Sequence, residues 1–265
     1  MSQANFILKI LERICRSNIY LFIITRFLVG KYLAKIIYDS DFKIINILKK
    51  NNFFVKKKLI LDIGANDGSS YKIIRKFLKT AKIISFEPIK HNFEKLKKIK
   101  KKDNLFKCLN FALSNHNKNI NFFMPYFKTY ALTQFAGINK NEIKNRLKKS
   151  FFLKDILNKV HFKKSLIKPK KLDNLKLNPS FIKMDIEGHE LECIQGSLKT
   201  IKKNNPIIMV EYDRKICNKI FIILKKYNYQ KYFYNKNNNK IEKFNNQRVF
   251  NIFYINKNFL KFFNK

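Results

Sequence analysis

Four of the chain's six glycines lie in two short segments, and each segment follows an apolar, strand-like run. The first is Asp62-Ile63-Gly64-Ala65-Asn66-Asp67-Gly68. The second runs from Lys183-Met184-Asp185-Ile186-Glu187-Gly188 to Gly196. At an average usage of about 7%, a chain of this length would hold roughly 18 glycines. A chain this poor in glycine that still places it between a strand and a helix needs it there, because glycine lets a ligand approach the backbone closely. The pair reads as two halves of a nucleotide-cofactor site.

The pattern around these segments alternates strand and helix. Leu59–Ile63 is an apolar run ending at the first glycine turn, and Lys82–Phe86 is the next, ending in Glu87-Pro88. Between them Ile73, Ile74, Phe77 and Leu78 mark a helix face, with Ser69 or Ser70 as its expected cap. Phe93, Leu96 and Ile99 mark a second helix, residues 105–109 a third strand and 120–124 a fourth. Residues 141–160 look helical. Strand-like runs resume at 181–186 and 207–212, separated by one helix carrying Leu191, Ile194, Leu198 and Ile201. Residues 216–224 read as a further helix. The end reads as a hairpin, 229–234 against 249–255, across the Asn-rich turn near 235–239. Alternating elements imply a mainly parallel sheet with helices on both faces. Residues 1–55 form a separate helical extension, from Phe6, Ile7, Ile10, Leu11 and Ile14 and from Phe42, Ile45 and Leu48; residues 56–265 form the main domain. The extension is expected to pack on that domain, with a membrane-surface role as the alternative, since its apolar stripes are flanked by Lys and Arg.

The chain has 265 residues, is 46% hydrophobic and carries a net charge of +39. The charge invites a nucleic-acid reading. Lys, Asn, Ile, Phe and Tyr are all abundant, however, while Trp is absent and the lysines are dispersed. That is the bias of an AT-rich coding sequence, so the charge reads as compositional, on solvated faces, and nucleic acid is disfavoured as a partner. Cys15, Cys108, Cys193 and Cys217 lack zinc-ligand spacing and read as buried, reduced thiols. The longest apolar run, 19–29, is short for a membrane span and contains Arg26. The expected location is cytoplasmic, with peripheral contact at the inner membrane surface through residues 1–55 left open.

In a parallel sheet, ligands bind beyond the carboxyl ends of the strands. Glu87 follows Gly68 by 19 residues and ends the second strand. A carboxylate about 20 residues past a glycine turn suits a ribose diol, whose two hydroxyl protons it accepts. The GxxxG spacing differs from the GxGxxG dinucleotide fingerprint, and no GxxxxGK[ST] loop exists; NAD and ATP chemistry are disfavoured.

The segments Leu61 to Gly68, Phe86-Glu87-Pro88, Ala112-Leu113-Ser114, Leu172-Asp173-Asn174-Leu175, Phe181 to Glu190 with Gly196, and Ile208-Met209-Val210-Glu211 resemble the FkbM-type methyltransferase family over residues 58–256. The resemblance implies a Rossmann-like class I methyltransferase fold with a seven-stranded, mainly parallel sheet. It also implies S-adenosylmethionine (SAM) as methyl donor, with a hydroxyl of a sugar, glycan or other small molecule as acceptor. Carried over by residue, Asp62, Gly64, Asn66 and Gly68 would hold the methionine end, and Ala65 within the same turn would also bind the cofactor. Glu87 and Pro88 would bind the ribose, Asn110 and Ala112 would lie near the adenine, and Asp185 would sit where donor and acceptor meet.

An alcohol becomes a good nucleophile once its proton leaves, so a base is expected. Asp185 is the first choice, followed by Glu187, His189 and Glu211. Two neighbouring carboxylates would raise one pKa, or would instead bind a divalent metal ion. Blander readings stand beside these: Lys183 simply pairs with Asp185, His189 is a surface helix residue, Glu187 and Glu211 are structural, and Gly196 permits close packing. Residues 125–169, with Tyr126, Tyr130, Thr133 and Gln134, are the least regular part and are expected to form the acceptor cap. The competing functions are an RNA- or DNA-modifying methyltransferase, suggested by charge, and a non-catalytic membrane-surface module.

Overall fold

A computed structural model of the chain describes residues 41–54, 59–149 and 154–263. The expected helices of residues 1–40, and Cys15 with them, lie outside the described residues. The chain divides into two compact units, one containing Ser40–Ile120 and Leu166–Lys265, the other containing Asn121–Ser165.

The larger unit holds an eight-stranded sheet. In chain order its elements are α1 (Lys43–Lys50), β1 (Leu59–Ile63), α2 (Ser69–Phe77), β2 (Lys82–Phe86), α3 (Lys90–Lys100) and β3 (Phe106–Leu109). The smaller unit supplies β4 (Ile120–Phe127), β5 (Tyr130–Ala131), α4 (Lys140–Lys149) and β6 (Val160–Ile167). The larger unit resumes with β7 (Phe181–Met184), α5 (Glu190–Gln195), α6 (Leu198–Asn204), β8 (Ile207–Glu211), α7 (Arg214–Lys225), β9 (Tyr229–Asn235), β10 (Lys240–Lys243) and β11 (Asn251–Asn256). The sheet order is β10-β9-β11-β8-β7-β1-β2-β3. β3, β2, β1, β7 and β8 are parallel, and β11, β9 and β10 add antiparallel pairings at one edge.

Successive residues of each central strand serve opposite cores, as the two-residue period of a strand requires. Ile60, Phe181, Ile207 and Phe253 join Ile74 and Leu96 on one face; Leu61, Ile182, Ile208 and Tyr254 join Ile194, Ile201 and Ile220 on the other. This is why the central strands read as continuous apolar runs. Phe42, Ile45 and Leu48 of the α1 segment are fully buried in the first core. Phe53 meets Phe54, Phe259 and Phe262 edge-on at 5.1–5.3 Å.

The structure departs from the sequence reading at four places. The main sheet has eight strands, because the Asn-rich turn leads into β10, while β11 pairs with β9 on its other side and separates it from β8. The single helix expected after β7 is two, broken where the Ser197 hydroxyl donates to Cys193 O at 2.6 Å. The helix expected over 141–160 ends at Lys149, and an unexpected strand, β6, begins at Val160. Neither Ser69 nor Ser70 caps α2; the Asp67 carboxylate accepts from the Ser69 N–H at 3.1 Å, and Ser70 turns inward. Gly196 permits close packing, as expected: a Cβ there would lie 2.0 Å from Ser114 O.

The Leu172-Asp173-Asn174-Leu175 segment is a 3₁₀ turn whose Asp173 caps α6 from a distance. Its carboxylate accepts from Lys199 N at 3.1 Å and Thr200 N at 2.8 Å, and Ser197, the local cap position, makes no side-chain cap bond. Asp173→Ala should cost about 1–2 kcal/mol in a urea unfolding experiment while leaving ligand affinity unchanged. An unchanged midpoint would show that α6 is held by packing alone.

In the smaller unit β5, β4 and β6 form a three-stranded sheet with α4, around Phe127, Leu132, Ile143 and Leu147. Tyr126 stacks on His161 at 5.5 Å, with the Lys163 ammonium 4.9 Å from the Tyr126 ring centre.

Candidate functional site

Register brings a polar ladder together on one face of three adjacent strands. Asp62 on β1 stands opposite Ser85 on β2 and Lys183 on β7. Its carboxylate, 0% exposed, accepts from the Ser85 hydroxyl at 3.1 Å and from Ser70 of α2 at 3.1 and 3.2 Å. Lys183 Nζ lies 3.4 Å from Asp62 Oδ1 and 3.5 Å from Asp185 Oδ2, and donates to Gly64 O at 3.1 Å. Burial disfavours the ammonium, but the Asp185 and Asp62 carboxylates outweigh it and hold its pKa above the ordinary lysine value. The expected Lys183–Asp185 pairing is therefore present and extends to Asp62. Asp62, expected at the methionine end of a cofactor, is fully buried and bonded to Ser70 and Ser85 beneath the turn.

Above the ladder, β1 ends in the glycine turn. Gly64, Asn66 and Gly68 all have positive φ, at 78°, 48° and 86°. Gly64 N and Ala65 N donate to Phe86 O at 3.0 and 3.2 Å, which ties the turn to the end of β2. The Ala65 side chain is buried in the first core. Gly68 admits α3: a Cβ there would lie 2.5 Å from Ile99 Cδ1 and 3.1 Å from Leu96 Cδ2. Asn92 precedes Leu96 by one helical turn, on the same face. It is fully buried, and its amide makes no hydrogen bond among the described residues.

Glu87 follows β2 directly and is 3% exposed. Its Oε2 accepts from Asn66 N and its Oε1 from Ile89 N, both at 2.8 Å. Burial pushes its pKa up to about 7, against the pull of those two N–H groups and the Lys183 charge. The exposed Asn110 donates from its amide to Glu87 O at 2.8 Å and Pro88 O at 3.1 Å, fixing the Glu-Pro backbone. Ala112 O accepts from Lys170 N at 2.9 Å. Phe111 between them packs edge-on to Phe86, with Lys170 over its outer side.

The third strand end is that of β7. Asp185 N donates to Ile63 O at 3.1 Å, so the half-buried Asp185 is pinned beside the glycine turn. Glu187 and Gly188 follow at φ 58° and 99°. The buried Glu190 carboxylate reaches back to Ile186 N and Gly188 N at 3.0 and 3.1 Å and shapes this loop. Burial raises the Glu190 pKa. Glu211 ends β8 and is exposed. It and Asp185 each stand one residue past the paired Met184 and Val210, at adjacent strand ends.

His189 is not on the surface, where the blander sequence reading put it. It is buried, with Nε2 3.0 Å from Ser114 Oγ and Nδ1 3.5 Å from Glu192, and burial lowers its pKa. Its bond to Ser114 clamps the segment after β3 onto the start of α5. Sequence reasoning did not assign the Ser70 and Ser85 bonds to Asp62 or the Glu190 bonds that shape the loop. Among the described residues no group of three His, Cys, Asp or Glu side chains is placed to hold a metal ion.

A model of the methyltransferase FkbM domain matches residues 62–231. No curated protein matches the chain. Among solved structures, a methyltransferase FkbM from Methylobacillus flagellatus aligns at 18% identity, with a TM-score of 0.46, over 75% of this chain and 43% of its own. A precorrin-6y C5,15-methyltransferase from Geobacter metallireducens aligns at 12% identity, with a TM-score of 0.40, over 79% of this chain and 87% of its own. The chain thus spans less than half the length of the first of these structures. The family match opens on Asp62, where the glycine turn begins, and runs past the last strand end of the site, and the chain belongs to the FkbM methyltransferase family.

Proposed function

We propose that the protein is a SAM-dependent O-methyltransferase that methylates a hydroxyl of a sugar, glycan or other small hydroxylated molecule. The observation that carries this reading is the meeting of three strand ends: the positive-φ turn after β1, the buried Glu87 after β2 and Asp185 after β7.

These residues fit the donor. Each Glu87 oxygen accepts one backbone N–H and has a second lone pair for a ribose hydroxyl. The turn places the N-terminus of α2 where it favours the negative charge of an amino-acid carboxylate. Asp185 offers a carboxylate to a cation or to an acceptor proton. When bound, SAM supplies an electrophilic methyl group on a sulfonium. What remains for the protein is to orient the two reactants and take the acceptor proton. Asp185 is our proposed proton acceptor, with the exposed Glu211 at the next strand end as the alternative; Glu187 shapes the loop, and His189 holds it to Ser114.

No helix among the described residues is long and apolar enough to cross a membrane, and a cytoplasmic setting suits a SAM-dependent enzyme. Residues 125–169 remain the proposed acceptor cap; exchanging 121–165 with another family member should change acceptor choice.

Calorimetric titration with SAM at about pH 8, in enough salt to suppress nonspecific anion binding, tests the central point. The expected result is saturable one-to-one binding. Absence of binding to the folded protein would overturn the reading.

A further inference from the structure

The ladder beneath the turn has a net charge, and one residue sets it. Asp62 and Asp185 contribute two negative charges and Lys183 one positive, within 3.5 Å of both. The Asp62 and Lys183 side chains are 0% and 4% exposed, so water screens them weakly. Asp62 already accepts from the hydroxyls of Ser70 and Ser85 without the lysine. Stability is a poor reason for such an arrangement, because replacing a buried ion pair with apolar groups is often neutral or stabilising. A lysine here is better explained by what its charge does to whatever binds at the strand ends above it. The Nζ–Gly64 O bond fixes that charge directly under the turn.

We infer that Lys183 is a charge-setting positioning residue, holding the ladder at −1 rather than −2 and so moderating the site's preference for a cationic sulfonium over a neutral thioether. The inference rests on the methyl-donor reading above. In the transfer, the S–CH₃ bond breaks with its electron pair staying on sulfur. The positive charge at sulfur is lost with that bond, and the acceptor oxygen gains the methyl and gives up its proton to Asp185, the proposed base. A site of charge −2 would stabilise the sulfonium before transfer more than it stabilises the partly neutralised transition state, and would raise the barrier. Lys183 removes that excess, acting through Asp62 and Asp185 rather than by touching the reactants.

The test compares the dissociation constants of SAM and S-adenosylhomocysteine, which differ in that charge, in four proteins at about pH 8, above the value of about 7 to which burial lifts Glu87. Lys183→Met takes the ladder to −2 and should raise the ratio Kd(S-adenosylhomocysteine)/Kd(SAM) by about tenfold. Asp185→Asn takes it to 0 and should lower the ratio by a similar factor. The double variant leaves Asp62 alone at −1 and should restore the wild-type ratio to within about twofold. A purely structural role would weaken both ligands together and leave every ratio unmoved, which would overturn the inference. If Lys183→Met does not fold, the Asp185→Asn ratio decides alone. If the wild type binds neither ligand, the methyl-donor reading falls and this inference with it; binding with unmoved ratios sinks only the inference.

Discussion

Glu87→Gln should weaken SAM binding by about 30- to 100-fold, the loss expected when two hydroxyls give up a charged acceptor for a neutral one. It should also abolish the pH dependence expected of the wild type. Burial holds the Glu87 carboxyl near 7, so the ionised form proposed to accept hydrogen bonds from both ribose hydroxyls dominates only above that pH. Wild-type affinity should be level in mild alkali and fall as pH drops through 7, by at most about tenfold per unit. The glutamine variant should be flat across the same range. Stability runs the other way. A carboxyl whose folded pKa lies above its unfolded value favours the folded state at low pH and loses that contribution as pH rises from about 4.5 to about 7. Removing the charge thus relieves about 3 kcal/mol of burial cost at neutral pH. Against this, the glutamine amide turns an N–H₂ toward Asn66 N or Ile89 N, both of which now donate to the carboxylate. The two effects oppose each other, so the unfolding midpoint should move far less than the affinity. A Glu87→Gln protein that binds SAM as the wild type does would remove Glu87 from the cofactor site.

The parts of this fold that were legible in the sequence are those decided locally. β1, β2, β7 and β8 are short apolar runs closed by glycine, proline or an acidic residue, and all four lie within the strand-like runs read from the sequence. α7 shows its helical face through Ile216, Ile220 and Leu224 in the same way. The misses come from competition between local signal and context. Leu191, Ile194, Leu198 and Ile201 keep helical spacing straight through Gly196, so the break between α5 and α6 leaves no mark in the period. The break falls where Gly196 packs against the Ser114 backbone, a contact the sequence does not announce. β6 carries His161, Lys163, Lys164 and Ser165 exposed, so it has no apolar run to announce it. At the site the turn and Glu87 were readable as a motif, while the Ser85–Asp62–Lys183 ladder was not. Those residues are far apart in sequence, and only the register of three strands makes them neighbours. His189 shows the same limit: the sequence places it at a helix start, and only the fold buries it against Ser114, 75 positions away.

Gly64→Ala should be the most damaging single-methyl change in the turn. A Cβ at this position would lie 1.9 Å from Asp185 O, 2.9 Å from its carbonyl carbon and 2.9 Å from Ile186 Cγ2, at a φ of +78°. The first two neighbours are backbone, pinned by the Asp185 N–Ile63 O bond, and cannot rotate away. The added methyl must therefore part the ends of β1 and β7, which also carry Lys183's bond to Gly64 O and its contact with Asp185. Left-handed backbone strain of about 1–3 kcal/mol adds to the clash. The expected loss is above about 3 kcal/mol, which for a chain of this size lowers the unfolding midpoint by roughly 10 °C. SAM affinity should fall in whatever protein remains folded, because the turn and Asp185 move together. Gly68→Ala provides the control. Its φ of +86° is as strained, but its Cβ would meet the ends of the Ile99 and Leu96 side chains, which can shift. It should cost about 1–3 kcal/mol, mostly as backbone strain. Thermal unfolding of the two variants side by side reads the difference directly. A Gly64→Ala protein as stable as Gly68→Ala would mean that β1 and β7 part easily at their carboxyl ends. The close joint between the cofactor turn and Asp185, on which the proposed chemistry depends, would then not be a fixed feature of the fold.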